Sequence, residues 1–335
     1  MQTKHKLVSD QPASLDELTV RSYAERPDAE AVAGVVNSSF AADGIDNRTT
    51  GPELDHFYHH FRGFDTARDI RIAWHRDQVV GESYLLTIDE RNGPRIYLHH
   101  TYLDPAWRAA ALEPLTSWAE AHAAEIERAA GRTGPALLRC SVSEGEAELR
   151  SLVEARGYQP ERFFYFMVRP TLDDIPDLPA PEGLELRPVA EDHLRPIWLA
   201  KEEAFRDHWG HRQEGEEDFQ RLITDPVQDP ALWQVAWDGD QIAGMVLNFI
   251  DRDENEAMGR LRGYTEDIGV RRPWRRRGLA SYLIAESLRL HQRQGMDEAA
   301  LTVDADNPSG ALTLYERMGY QVVRRSFAYS KPLGG

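Results

Sequence analysis

The chain repeats itself, and the repeat narrows the folds open to it. LTVRSYAE (18–25) returns as LELRPVAE (184–191), and IAWHRDQVVG (72–81) returns as VAWDGDQIAG (235–244). Trp107-Arg108 returns as Trp274-Arg275, and EARGYQ (154–159) as ERMGYQ (316–321). The offsets stay between 162 and 167, so few insertions separate the copies. A chain of 335 residues can bury two cores of ordinary size. Two tandem copies of one fold is the economical reading.

Periodicity gives both copies one order of elements. In the first, strands are predicted at 18–23, 70–74, 79–87, 95–103, 137–142 and 163–168, with helices at 28–39, 53–61, 107–130 and 146–155. In the second, strands are predicted at 184–189, 232–237, 241–250, 260–270, 299–303, 320–323 and 325–331, with helices at 194–205, 216–223, 280–294 and 308–318. Asp238-Gly239-Asp240 is a strong hairpin signal. The strands at 260–270 and 299–303, if neighbours, must run parallel through the helix between them, while the others connect by hairpins. The expected class is α/β (α+β): two tandem domains, each a mixed, mostly antiparallel sheet flanked by helices. The Pro- and Asp-rich stretch TLDDIPDLPAPEG (171–183) reads as a linker between domains at 17–170 and 184–335. Residues 1–16 read as a disordered tail without the apolar segment of a secretory signal.

The most chemically distinctive stretch is TEDIGVRRPWRRRGLA (265–280). A strand feeds a tight turn whose glycine opens an amphipathic helix. The first amides of that helix lack intrahelical partners and lie at its positive end, a natural seat for phosphate. Arg271, Arg272, Arg275, Arg276 and Arg277 crowd the turn of a chain whose net charge is −17. That overall charge argues against general nucleic-acid or anionic-membrane binding. No run approaches a membrane span. The single cysteine, Cys140, excludes an intrachain disulfide and fits a reducing cytoplasm. His56, His59 and His60 share helical spacing and His208 and His211 are close, but without Cys pairs or an HExxH pattern no metal site is expected. No Walker A lysine and no GxGxxG is present, which argues against nucleotide hydrolysis and dinucleotide binding.

These residues resemble the GNAT superfamily of N-acetyltransferases. The family's signature, Arg or Gln, two residues, Gly, one residue, then Gly or Ala, stands here as Arg275, Gly278 and Ala280 between a strand and a helix. Its later pattern, an Asn before a helix carrying a Tyr and closing on Gly-aromatic, matches Asn307, Tyr315 and Gly319-Tyr320. The resemblance covers 184–332 well and 17–170 by element order and scattered identities. The tandem arrangement resembles the mycothiol-synthase-like branch. The first copy departs from the pattern: Ala111 stands for Gly278, Glu113 for Ala280 and Val153 for Tyr315. It is therefore expected to have lost cofactor binding and turnover, and to buttress the second copy.

The resemblance implies acetyl-CoA as cofactor. Contacts are expected from Ile268, Gly269 and Val270 on the strand, Arg275, Arg276, Arg277, Gly278, Leu279 and Ala280 in the turn, and Asn307. It further implies Tyr315 as the acid that protonates the departing thiolate, and the backbone N–H near Val270 as oxyanion donor. Glu266, two strand periods before Val270, reads as the base, against the plain alternative of a strand-surface carboxylate. Phe205, His208 and Trp209, in the loop after the first helix, read as substrate-pocket residues or as core. The expected reaction is direct attack of a primary amine, on a small molecule, in a ternary complex. The alternatives are a protein or peptide N-acetyltransferase and a non-catalytic acyl-CoA sensor. A homodimer is possible, with no nucleic-acid or membrane partner.

Overall fold

The computed structural model describes residues 18–23, 26–90, 93–132, 134–306 and 310–334. The expected tail at 1–16 lies outside them. The N-terminal half runs β1 (Leu18–Arg21), α1 (Arg26–Ala42), α2 (Gly51–His60), α3 (Thr66–Asp69), β2 (Ile70–His75), β3 (Gln78–Asp89), β4 (Arg95–Leu103), α4 (Arg108–Ala130), β5 (Ala136–Ser143), α5 (Ala147–Ala155) and β6 (Gln159–Arg169). The C-terminal half runs β7 (Glu185–Leu186), α6 (Leu194–Phe205), α7 (Glu216–Thr224), β8 (Gln234–Asp238), β9 (Gln241–Phe249), α8 (Arg252–Met258), β10 (Arg262–Val270), α9 (Leu279–Arg293), β11 (Glu298–Asp304), α10 (Ala311–Arg317) and β12 (Gln321–Pro332). Among the described residues no helix is long and apolar enough to cross a membrane.

Local chemistry accounts for these boundaries. Thr50 and Glu53 form a capping box at the start of α2. The β8–β9 hairpin turns through Gly239 at φ 56°, and β2–β3 makes the same turn with Arg76 at φ 55°. Three features depart from expectation. The short helices α3 and α8 had no clear periodic signal, β7 shrinks to two residues, and the two strands expected after 319 are one, β12.

The strands form a single mixed sheet, in the order β1-β2-β3-β4-β5-β12-β6-β11-β10-β9-β8-β7. Two pairs are parallel, β4 with β5 and β10 with β11. Each half gives its final strand to the other. β12 pairs with β5, from Ser326↔Ser143 to Pro332↔Leu137, and β6 pairs with β11, from Ala299↔Arg169 to Asp304↔Phe164. The cores follow this exchange. Tyr329 of β12 packs with Leu85, Tyr97, Leu138 and Tyr158 of the N-terminal half. Met167 of β6 packs with Ile284, Leu288, Leu301 and Tyr320 of the C-terminal half. The linker expected at 171–183 does connect β6 to β7, but the sheet runs on without a break.

Candidate active site

β10 and β11 are parallel neighbours only from Arg262↔Glu298 to Tyr264↔Ala300, after which they part. On its other side β10 stays paired to β9 down to Val270↔Gly244, with a bulge between Glu266 and Gly269. Asp267, in the bulge, has φ 48°. The bulge adds one residue and so flips the pleat. Glu266 therefore shares its face with Gly269 rather than with Val270, which corrects the period-based placement. Arg271 N–H donates to Ala243 O of β9. By alternation the Val270 N–H points the other way, into the gap left by β11.

Glu266 reaches across that gap, where its Oε1 accepts the Thr302 N–H of β11 at 2.9 Å. Burial, with Asp267 adding, pushes its carboxyl up to about 8. Tyr315 of α10 is buried among Ile284, Leu301, Met318 and Tyr320, with Ile268 packed against them. Burial raises its phenol, and the nearby Glu266 carboxylate raises it further. No described residue accepts a hydrogen bond from the Tyr315 hydroxyl, whereas Tyr320 beside it donates to Thr265 Oγ1 at 3.0 Å. Base and acid candidates thus meet at the parting of two strands.

The turn before α9 has the geometry of an anion seat. After a 3-10 turn at Arg272–Trp274 the chain opens at Arg275 (ψ 155°), and Arg276 and Gly278 are left-handed, at φ 61° and 81°. Among the described residues no side chain caps α9, which leaves its first amides without a side-chain partner there. The arginines divide among different partners. Arg271 bonds Glu203 and Ile242 O, and Arg272 bonds both oxygens of Asp207. Arg275 donates to Val270 O and Ala204 O, bracing the strand end against α6. Arg277 holds Glu182 O, and Arg276 is exposed with no partner among the described residues. Leu279 is buried and offers its backbone alone, and Ala280 is half-buried beside it. Asn307 lies outside the described residues.

Phe205 abuts Gly269, where an added Cβ would lie 3.1 Å from its ring. His208 packs edge-on against Phe205. Trp209 instead faces the N-terminal half, tilted on Phe164 with the Arg139 guanidinium 4.3 Å from its ring. One set of residues had no sequence signal. Lys201 Nζ lies 3.2 Å from Glu214 and 4.0 Å from Asp267, and burial with Glu214 beside it pushes Glu202 up to about 7. Lys201 thus bridges Glu214 and Asp267, the residue that follows Glu266. Among the described residues no group of three His, Cys, Asp or Glu is placed to hold a metal.

In the N-terminal half the same frame is closed. The 3-10 turn Pro105–Trp107 runs straight into α4, so residues 108–111 are helical where the C-terminal half has its open turn. Arg108 is bonded to Asp43 and Ser39. By strand pairing, His100 (opposite Tyr84) stands where Glu266 (opposite Leu247) stands, without a bulge.

Residues 194–320 match the model of the acetyltransferase (GNAT) family. The chain is 32% identical over 194 residues to a mycothiol acetyltransferase of Salinispora tropica, covering 56% of this chain and 60% of that one. It is 30% identical over 194 residues to the mycothiol acetyltransferase of Streptomyces scabiei, covering 57% and 61%. The match thus spans about three fifths of these relatives' length. A solved GCN5-related N-acetyltransferase from Sphaerobacter thermophilus superposes with a TM-score of 0.71 at 26% identity, covering 96% of this chain and 97% of that one. A tandem GNAT protein from the clavulanic acid biosynthesis pathway, solved without AcCoA, shares the fold at a TM-score of 0.66 and 15% identity, covering 95% and 99%. The C-terminal half carries a GNAT acetyltransferase domain, within a chain folded like the tandem GNAT proteins.

Proposed function

We propose that the chain is an acetyl-CoA-dependent N-acetyltransferase of a small-molecule primary amine, with one active site, in the C-terminal half. One observation carries the reading: an uncapped helix start, a strand gap, a carboxyl and a phenol converge at the end of β10. The α9 amides with Arg276 and Arg277 fit a pyrophosphate, and Asn307 joins them by family resemblance alone. Acetyl-CoA supplies the activated acetyl thioester. Glu266 takes a proton from the substrate ammonium, and a carboxyl held near 8 is matched to that transfer. The Val270 N–H faces the developing oxyanion. Tyr315 returns a proton to the sulfur as the C–S bond breaks. Cys140, the one thiol, is buried in the N-terminal half, which favours direct attack over an acyl-enzyme. It also suits a reducing cytoplasm.

The chain's net charge of −17 favours a cationic acceptor, and relatives named mycothiol acetyltransferase favour a small-molecule one. A CoA-thiol release assay over a panel of small amines and peptides tests the proposal. Release with small amines and not with peptides is expected. No release from any amine, despite acetyl-CoA binding, would instead make the protein a sensor.

A further inference from the structure

The N-terminal half keeps a strand gap of its own. β4 and β5 pair from Arg95↔Ala136 to His99↔Cys140 and then part, leaving a cavity of about 180 Å³. Its walls include His99–Tyr102 of β4, Cys140, Ser141 and Ser143 of β5, Glu146 before α5, and Arg324 and Ser326 of the exchanged β12. Neither half completes this cavity alone.

Its polar groups are unsatisfied in a patterned way. The buried Nδ1 of His99 and Oγ of Ser143, two residues that line the cavity, have no hydrogen-bond partner among the described residues. His99 Nε2 lies 3.1 Å from the Tyr158 hydroxyl, which itself sits beside Glu120. A phenol that donates to the carboxylate accepts from Nε2–H, leaving Nδ1 as a bare acceptor toward the cavity. Glu146 Oε2 accepts the Ser143 N–H at 2.6 Å, and no described residue engages its Oε1. Arg324 follows a bulge in β12 and rests 4.7 Å from the Phe166 ring centroid. No described residue forms an ion pair or hydrogen bond with its guanidinium. The other nearby charges are already matched: Asp43 by Arg108, and Asp46 by Arg260 and Arg262.

One cation and one carboxyl, both half-buried, thus face a common cavity without touching. A simple anion there would meet Glu146, and a simple cation would meet Arg324. A neutral molecule would leave both unmatched, and polar groups withdrawn from water without a partner are costly. Phosphate has no seat, since α4 has absorbed the turn and Arg108 is spent on Asp43. We propose that this cavity binds a small zwitterion, an amino acid or close analogue, with its carboxylate on Arg324 and its ammonium between Glu146 and His99. The site is separate from the acetyl-transfer site and does not depend on that reading.

The test is calorimetric titration of the full chain with the proteinogenic amino acids, and with the matching amines and carboxylic acids that lack one of the two charges. At least one amino acid should bind at one site per chain, with its single-charge analogues at least about tenfold weaker. Arg324→Gln and Glu146→Gln should each weaken it similarly, and saturating CoA should not displace it. Ser326→Met fills the cavity without removing a charge and should abolish binding, which covers the case of a charge variant that fails to fold. The proposal is overturned if no amino acid binds, if the amine or the acid alone binds as well, if all three variants bind normally, or if CoA competes.

Discussion

At the scale of single residues, three side chains carry the predictions about chemistry and pH response. Tyr315→Phe keeps the ring in its apolar setting and removes the proton, so CoA-thiol release should fall by about 10²-fold or more with the melting temperature unchanged. An unchanged rate at every pH would remove Tyr315 as the acid. Glu266 must be ionised to accept a proton, and its carboxyl is held near 8. Activity should therefore rise with pH toward about 8 and then level, and Glu266→Gln should lose that limb; identical profiles for both proteins would sink the assignment. Glu82 serves stability instead. It is fully buried, accepts the Tyr58 hydroxyl at 2.5 Å, and is pushed by burial up to about 7 from 4.5. Below 4.5 both folded and unfolded states hold the proton; between 4.5 and about 7 only the folded state does, so stability falls as pH rises. The span is on the order of 3 kcal/mol. In urea titrations at pH 5 and 7, Glu82→Gln should show a smaller loss of stability than the parent; an equal loss contradicts the assignment.

At the scale of elements, the turn before α9 was legible because composition marks it: arginines and a glycine between an apolar strand and an amphipathic helix. What composition could not reveal was how the arginines are spent. Four hold carboxylates or carbonyls, and the proposed seat rests on left-handed backbone at Arg276 and Gly278. Space around Gly278 is open, so Gly278→Ala meets strain at φ 81° rather than a clash within the protein. A cost of roughly 1–2 kcal/mol is expected, with a raised KM for acetyl-CoA and an unchanged KM for the amine. Gly278→Asn, which tolerates this region, should be milder; equal behaviour of both variants would show that side-chain volume matters more than φ. The bulge in β10 was likewise hidden, since period-two counting assumes an unbroken pleat.

At the scale of the whole molecule, the exchange of β6 and β12 joins the two halves in one sheet with shared cores. Removing residues 321–335 withdraws Tyr329 from the N-terminal core and uncovers the edges of both β5 and β6. The full chain should unfold in a single thermal transition, and the truncated chain should lose it entirely. A surviving transition from an intact N-terminal half would show that the halves fold independently.

The internal repeat, the helix and strand periods, and the Arg275, Gly278, Ala280 and Tyr315 pattern were determined by sequence alone, because local propensity and spacing act within one element. Tertiary structure alone decided which strand completes which half, the flip of Glu266 away from the face of Val270, and the pairing of Arg324 with a cavity in the opposite half. Repeats of one element order offer each final strand two comparable edges. The choice between them rests on packing between residues far apart in the chain, which no local pattern records.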